Sequence, residues 1–87
     1  MKLSNDYVVK NIVGNTVVIP VGQTYIDGKN NIILDTEGKF FVKNIIANKT
    51  EDEILDLYSD LFSEDLEEAK EKLDEFLSNG RKIGFIE

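Results

Sequence analysis

The chain has 87 residues with a formal net charge of −7, 41% apolar residues and 31% charged residues, which predicts a single globular domain over residues 1–87 with a small core. It contains no cysteine and no histidine, which excludes disulfides, thiolate or imidazole metal sites and a histidine general base. No run approaches the ~20 apolar residues of a membrane span, and the N-terminus lacks a signal-peptide pattern, so a soluble cytoplasmic protein is expected.

Negative charge is concentrated in one segment of the sequence. Residues 1–48 carry five Lys and four Asp or Glu, whereas residues 49–79 carry three Lys and twelve Asp or Glu. An acidic surface repels nucleic-acid phosphates. We therefore expect no nucleic-acid partner, and we interpret the acidic segment as a solvated helical surface in preference to an acidic docking site.

The first elements in chain order are two β-type runs. Residues 7–13 (YVVKNIV) and 15–21 (NTVVIPV) are separated by Gly14-Asn15, a tight-turn signal, and together predict a hairpin. Pro20 cannot donate to a ladder, so it should take an edge-like or bulged position late in the second strand.

A third strand is predicted at residues 31–35 (NIILD), after a stretch rich in glycine and asparagine. Tyr25 and Ile26 in that stretch are candidates for a short extra strand. The three main runs predict a three-stranded antiparallel meander, with residues 31–35 at its edge.

Helical spacing takes over from residue 36. Thr36 is predicted to cap a first helix that ends near Asn48. The expected buried side of this helix consists of Phe40, Phe41, Val42, Ile45 and Ile46.

Two further helices have clear start signals. Thr50 and Glu53 match a capping box for the second, and Asp65 with Glu68 opens the third, which Asn79-Gly80 should end. The expected buried side of the second helix consists of Ile54, Leu55, Leu57, Tyr58, Leu61 and Phe62, and the apolar positions of the third are Leu66, Ala69, Leu73, Phe76 and Leu77.

Motifs that carry chemistry are missing from the sequence. The glycines form no phosphate-binding loop. The carboxylate clusters at 51–53 and 64–68 lack the spacing of a calcium loop, and helix capping explains them. We expect no catalytic residue, no metal site and no cofactor, and therefore no enzymatic activity.

The order of these pieces closely resembles the PqqD-like family. The segments VIPVGQ, IILDTEG running into FFVKNI, KTEDEILDLYSDLF and DLEEAKEKLDEFLSNGRKIGFIE carry the resemblance over nearly the whole chain. Asn48 departs from the pattern, since many relatives have glycine there. The resemblance implies an α+β, winged helix-turn-helix-like fold in which a three-stranded antiparallel sheet is followed by three helices.

The resemblance also implies a function. PqqD-like proteins are non-catalytic peptide chaperones, or recognition elements, for ribosomally made and post-translationally modified peptides. They bind the leader of a precursor peptide and present it to a modifying enzyme, for which the radical SAM class is one candidate. The expected partners are therefore a precursor peptide and such an enzyme, with neither nucleic acid nor a membrane.

An edge strand at residues 31–35 suits this role, because it presents unpaired N–H and C=O groups and has no Lys or Pro to block pairing. In the family, the third helix forms the wall of the groove. Carried over by position, the peptide-binding residues would be Asn31, Ile32, Ile33, Leu34, Asp35, Ala69, Lys70, Leu73, Asp74 and Leu77. The alternative that Leu73 and some of the isoleucines are core residues stays open, since the sequence does not fix the strand register.

Two other classes of protein remain. A winged-helix DNA-binding regulator needs a basic recognition helix, whereas acidic residues far outnumber the two lysines between residues 65 and 77. A small structural or interface subunit without a peptide ligand is the stronger rival, because a fold does not fix a function.

Overall fold

The computed structural model describes residues 1–87 and shows three strands and four helices. In chain order they are β1 (Tyr7–Ile12), β2 (Asn15–Pro20), α1 (Gln23–Ile26), β3 (Ile32–Leu34), α2 (Thr36–Ile46), α3 (Glu51–Phe62) and α4 (Leu66–Ile83). The sheet is an antiparallel meander in the order β1-β2-β3. The predicted α+β fold, with a three-stranded antiparallel sheet followed by helices, is confirmed.

The hairpin turn lies one residue earlier than predicted. Ile12 pairs with Asn15, so the turn residues are Val13 and Gly14, with φ of 49° and 80°. The two-residue turn that matches the right-handed twist of a hairpin needs positive φ at both positions. Gly14 satisfies this at the second position, and Val13 accepts the first with its side chain 97% exposed, so Asn15 is free to begin β2.

The connection from β2 to β3 is helical where an extra strand was expected. Tyr25 and Ile26 lie in α1, closed by hydrogen bonds from the Ile26 and Asp27 amides to the Gly22 and Gln23 carbonyls at 3.2 and 2.8 Å. A Gln23–Asp27 side-chain hydrogen bond of 2.8 Å spans the same turn, and this i,i+4 pair favours helix over strand.

The helix α2 is capped by Asp35, whereas the sequence prediction placed the cap at Thr36. The Asp35 carboxylate accepts the Gly38 N–H at 2.7 Å. Ile46, predicted to be buried, is 54% exposed. Asn48, which follows the helix, has a φ of 65°. Asparagine adopts this left-handed conformation more readily than most residues, which explains how it replaces a glycine.

The capping box of α3 is confirmed. The Thr50 hydroxyl accepts the Glu53 N–H at 3.2 Å, and the Glu53 carboxylate accepts the Thr50 N–H at 2.9 Å. Leu57 and Leu61 were predicted to be buried but are 41% and 65% exposed. The apolar side chains of α3 occupy more of the helix surface than the rest of the molecule packs against, so these two face solvent.

Replacing Thr50 with alanine should lower the free energy of unfolding by about 1 kcal/mol, because the Glu53 N–H loses its acceptor. Urea unfolding followed by circular dichroism measures the change. Thr36→Ala is the matched control and should change stability by less than about 0.5 kcal/mol, because Asp35 supplies that cap. Equal losses in the two variants would contradict the assignment of both caps.

The start of α4 is as predicted, but its end is not. Asp65 accepts the Glu68 N–H at 2.8 Å, whereas the helix continues past Asn79 and Gly80 as far as Ile83. Gly80 serves close packing, since a Cβ there would lie 2.5 Å from Cγ1 of Ile86. The helix ends at Gly84, where φ is 112° and glycine is favoured.

The C-terminal residues pack back onto the domain. Phe85 and Ile86 are 3% and 4% exposed. Ile86 forms an isolated antiparallel bridge with Leu3, flanked by hydrogen bonds of 2.8 Å from Ser4 N–H to the Phe85 carbonyl and from the Glu87 N–H to the Lys2 carbonyl. Both ends of the chain are thereby attached to the body.

One hydrophobic core joins the sheet to the three longer helices. Phe41 and Tyr58 stack with ring centroids 5.2 Å apart and are 1% and 0% exposed. Phe40, Phe62 and Phe76 pack around the core from half-buried positions. The predicted core role of these five aromatic residues is confirmed.

No helix of the protein combines the length and apolar character that crossing a membrane requires.

Candidate functional site

The hydrogen-bonding pattern of the hairpin fixes which main-chain groups of the sheet are paired. A two-residue turn closes with a hydrogen-bonded pair, here Ile12–Asn15. Such pairs recur at every second position and therefore include Lys10–Val17. The hydrogen bond of 2.9 Å from the Val21 N–H to the Asp6 carbonyl continues the same series. The N–H and C=O groups of Val17 therefore point to β1.

The free edge of β3 follows from this pattern. Since Val17 faces β1, its neighbours Thr16 and Val18 face β3, where they pair with Leu34 and Ile32. Ile33 lies between those two residues, so its N–H and C=O point away from β2. No strand lies beyond β3. The edge therefore offers one donor and one acceptor at the centre of β3.

The side chains of β3 alternate between the two faces of the sheet. Ile32 and Leu34 are half-buried and pack against the hydrophobic core. Ile33 is 68% exposed on the opposite face. Asn31 and Asp35 flank the strand at exposed positions. Of the predicted strand contacts, Ile32 and Leu34 border the space between the sheet and the helices, and Ile33 presents main-chain groups at the edge.

Three predicted wall residues of α4 belong to the core. Ala69 and Leu73 are 0% exposed and Leu77 is 6% exposed. A docked peptide cannot reach these side chains unless the helix moves. The structure therefore supports the alternative that the sequence left open for Leu73 and extends it to Ala69 and Leu77.

Lys70 and Asp74 lie on one flank of α4. The Lys70 ammonium lies 3.0 Å from a carboxylate oxygen of Glu51, at the start of α3, and 3.4 Å from Asp74. At about 100° per residue, this flank is turned away from the one that carries Lys72 and Phe76. Lys70 and Asp74, which were carried over from the family pattern, therefore do not border the cleft described next.

The flank of α4 that does face the β3–α2 junction borders a cleft of about 230 Å³. Its lining residues are Asp35, Glu37, Gly38, Phe41, Lys72, Glu75, Phe76 and Asn79. Of these only Asp35 is among the residues carried over from the family pattern. The spacing of Lys72, Phe76 and Asn79, at i, i+4 and i+7, was the available signal for this face, but Phe76 fits a core position equally well.

Gly38 brings the wall of the cleft close to the strand. A Cβ at Gly38 would lie 3.4 Å from Cδ2 of Leu34, 3.3 Å from Cε1 of Phe76 and 3.1 Å from the Asp35 carboxylate. Leu34 and Phe76 therefore approach each other at the small Gly38 position. Phe41 and Phe76 are the apolar residues of the cleft lining, and charged and amide side chains make up most of the rest.

Lys72 connects α4 to Glu37 of α2 and to Glu64 in the loop between α3 and α4. Its ammonium lies 2.8 Å from Glu64 and 3.4 Å from Glu37, and the hydrogen bond with Glu64 holds the pKa of Lys72 well above its usual range. The nearby Tyr58 hydroxyl is buried and has no hydrogen-bond partner. Burial raises the pKa of Tyr58 and the charges of Glu37 and Glu64 add to the shift, whereas the nearby Lys72 ammonium opposes it.

Replacing Tyr58 with phenylalanine should keep or raise the free energy of unfolding at pH 7, by up to about 1 kcal/mol, because an unsatisfied buried hydroxyl is removed. The tyrosine pKa is higher in the folded state than its ordinary value of 10.0. The hydroxyl is therefore neutral in both states below about pH 10, and its ionisation lowers the free energy of unfolding of wild type as the pH rises from there through the folded value. The phenylalanine variant should lose less stability than wild type between pH 9 and 11.

Urea unfolding at several pH values checks this expectation. Tyr25→Phe is the control, because Tyr25 is 68% exposed and its replacement should leave the alkaline loss unchanged. Lys72 has a raised pKa as well, so part of the loss above about pH 10.5 should persist in both variants. An identical alkaline loss in wild type and Tyr58→Phe would contradict the assignment.

No group of three or more acidic side chains is arranged to hold a metal ion. The carboxylates at the starts of α3 and α4 act in capping, through Glu53 and Asp65. The candidate site itself is a strand edge with an adjacent cleft, which suits binding of an extended chain.

Comparison with known proteins identifies a structure with the same fold. The structure of TbiB1 in complex with the TbiA(beta) leader peptide superposes with a TM-score of 0.85, and the match spans 100% of this chain and 95% of that one. The two sequences are 22% identical. No family model and no curated protein sequence matches the chain. The chain therefore has the fold of TbiB1, a protein whose structure was solved together with a leader peptide.

Proposed function

We propose that this protein is a non-catalytic, cytoplasmic peptide-binding chaperone that captures the leader of a precursor peptide by strand addition at β3 and presents it to a modifying enzyme. The observation that carries the proposal is the open edge of β3 at Ile33, beside the cleft formed with α4. An added strand gains main-chain hydrogen bonds from such an edge and specificity from the adjacent pockets.

The shared fold supports the proposal from a second direction. TbiB1 was solved in complex with a leader peptide, and the resemblance to PqqD-like proteins implies the same class of ligand. A leader running antiparallel to β3 would place alternate side chains over Leu34 and Phe76. The partner enzyme is one that modifies precursor peptides, and the radical SAM class remains one candidate.

The charge around the cleft indicates the kind of leader that fits. Asp35, Glu37 and Glu75 line it together with a single cation, Lys72, and Lys72 is engaged by Glu37 and Glu64. A peptide with basic or neutral residues beside its apolar anchors is therefore favoured. We expect a dissociation constant on the order of nanomolar to micromolar from main-chain pairing and a few apolar contacts.

A displayed library of random peptides, each about 12 residues long and therefore able to form a strand of usual length, tests binding although the natural ligand is unidentified. The library is selected on the immobilised protein. The most enriched peptide is then titrated into the isotopically labelled protein, and amide chemical shifts are recorded. Shifts concentrated on residues 31–35 and on the Lys72–Asn79 part of α4 are expected. Shifts confined to the β1–β2 hairpin or to α3 would overturn the site.

The precursor itself can then be sought by its sequence. The enriched motif should recur in the N-terminal part of a short reading frame beside the gene of this chain. That leader, synthesised on its own, should bind and compete with the selected peptide. A leader from such a frame that fails to compete would contradict the proposed biological ligand, although peptide binding at β3 would stand.

A second function is favoured by one specific observation. Leu57 and Leu61 of α3 and Leu66 at the start of α4 are 41%, 65% and 53% exposed. Exposed leucines on neighbouring elements are typical of protein interfaces. An interface subunit without a peptide ligand would enrich no peptide at β3 and would form a stable complex that Leu61→Lys disrupts, as measured by light scattering of the protein with its partner enzyme.

A further inference from the structure

On the outer face of the sheet, which is turned away from the core, one cross-strand row of side chains ends at the open edge of β3. Lys10, Val17 and Ile33 are directly opposite one another on β1, β2 and β3. Val17 is 6% exposed although it does not belong to the hydrophobic core cluster. Val17 is thus a buried apolar residue in the middle of this row. Ile33, at the open end of the row, is 68% exposed.

Strand addition at β3 would extend this row by one position. The N–H and C=O of Ile33 point to the open edge, so in an antiparallel complex they pair with a single peptide residue, about 5.5 Å away between Cα atoms. Side chains of directly paired residues lie on the same face of a sheet. The side chain of that peptide residue must therefore lie on the outer face beside Ile33, whereas its two neighbours lie over the cleft.

We propose that Ile33 is a specificity-determining residue, which selects an apolar side chain, β-branched or aromatic, at the directly paired peptide position. This inference rests on the proposed function and adds to it a second surface that selects the peptide, the outer face of the sheet. The recognised segment is then apolar at consecutive positions, because the residues over Leu34 and Phe76 and the residue beside Ile33 are all selected. A segment that binds through the cleft alone would alternate apolar and polar residues.

The chemistry of the row favours an apolar residue at this position. Ile33 and Val17 are both β-branched and apolar, and the charged member of the row, Lys10, lies on the far side of Val17. A polar or charged peptide side chain would find an exposed isoleucine as its direct neighbour. Cross-strand pairs of β-branched and aromatic residues stabilise sheets, each by up to about 1 kcal/mol, which corresponds to about fivefold in affinity.

Peptide selection on variants of Ile33 tests the inference. The random library is selected in parallel on wild type, Ile33→Lys and Ile12→Lys. Ile12 is a matched control because it lies on the same outer face and is 47% exposed, but it lies on β1, at the opposite edge from β3. Neither change affects the core, and circular dichroism and thermal unfolding of each variant confirm folding before selection.

The expected result has two parts. Wild type and Ile12→Lys should enrich the same motif, with an apolar residue between the two residues that lie over the cleft. Ile33→Lys should enrich an acidic residue at that central position and leave the cleft-facing positions unchanged, and it should bind the wild-type peptide about fivefold more weakly.

The outcomes separate this inference from the proposed function. Enrichment of peptides whose central position shows no preference in wild type, or the same preference in wild type and Ile33→Lys, would overturn the role of Ile33 while strand addition at β3 stands. Enrichment of no peptide by wild type would overturn both. A change of motif in Ile12→Lys equal to that in Ile33→Lys would also overturn the inference, because the effect would then not depend on the β3 edge.

Discussion

Ile33→Pro is expected to weaken binding of the selected peptide by about 100-fold or more and to leave the domain folded. The substitution removes the N–H that faces the open edge of β3 but none of the bonds between β2 and β3, which involve Ile32 and Leu34. Proline is tolerated at edge positions whose N–H faces solvent. The variant loses the main-chain donor, the alignment of the neighbouring C=O acceptor and the contact of the Ile33 side chain. Together these losses weaken the binding free energy of the peptide by about 3 kcal/mol.

Isothermal titration calorimetry measures the affinity of the variant, and its circular dichroism spectrum and thermal unfolding establish that it is folded. Ile33→Ala separates the contributions, because it keeps the N–H and loses the side chain. We expect a loss of up to about fivefold for alanine. An Ile33→Pro variant that is folded and binds with wild-type affinity would show that the peptide does not add to β3.

Leu73→Ala should lower the free energy of unfolding by about 3 kcal/mol, which for a domain of this size lowers Tm by roughly 10–25 °C. Leu73 is 0% exposed and belongs to the core that joins the helices to the sheet. Removing its side chain leaves a cavity that the packed neighbours fill only in part. Differential scanning calorimetry or urea unfolding measures the loss.

The control for this change is Leu61→Ala, the same substitution at a leucine that is 65% exposed. It should change the free energy of unfolding by less than about 1 kcal/mol. Similar effects at the two positions would contradict the assignment of Leu73 to the core. The burial of Leu73 also rules out a glutamate substitution there as a test of peptide binding, because such a variant is expected to unfold.

Local signals were enough to predict the starts of α3 and α4 and the edge strand. The capping pairs Thr50–Glu53 and Asp65–Glu68 form as their spacing indicated, because a cap depends on residues within one turn. The edge position of residues 32–34 followed from the order of three short runs joined without a long crossover. These features are encoded by neighbouring residues and do not depend on contacts between distant parts of the chain.

Features that depend on packing across the fold could not be predicted in the same way. The end of α4 was placed at Gly80 because glycine usually ends helices. In the structure Gly80 lies inside the helix, and it is small because Ile86 packs against it, a contact that exists only in the folded chain. The face of α4 toward β3 was similarly ambiguous. Leu73 and Phe76 both have helical spacing, and only the docking of α2 at Gly38 determines which of them borders the cleft.

The position of the hairpin turn determines which main-chain groups are unpaired at the site, so a shift of one residue would change the site. A turn at Gly14-Asn15 would pair Val13 with Thr16 and reverse which β2 residues face β3. Ile32 and Leu34 would then lose their bonds to β2. The turn at Val13-Gly14 is therefore what places the outward N–H and C=O at Ile33.

The bridge between Leu3 and Ile86 bears on how the chain folds as it is synthesised. This contact joins two of the most distant positions in the sequence, and Phe85 and Ile86 are both buried. Such a non-local pairing forms only after the intervening chain has been made and collapsed. The β1–β2–β3 meander leaves the ribosome well before residues 85 and 86 do, so during that interval its open edge is exposed without the completed domain behind it. Chains stalled at this stage would expose the core-facing side of the sheet in addition to its open edge, and packing of Phe85 against Tyr7 helps to bury that apolar side.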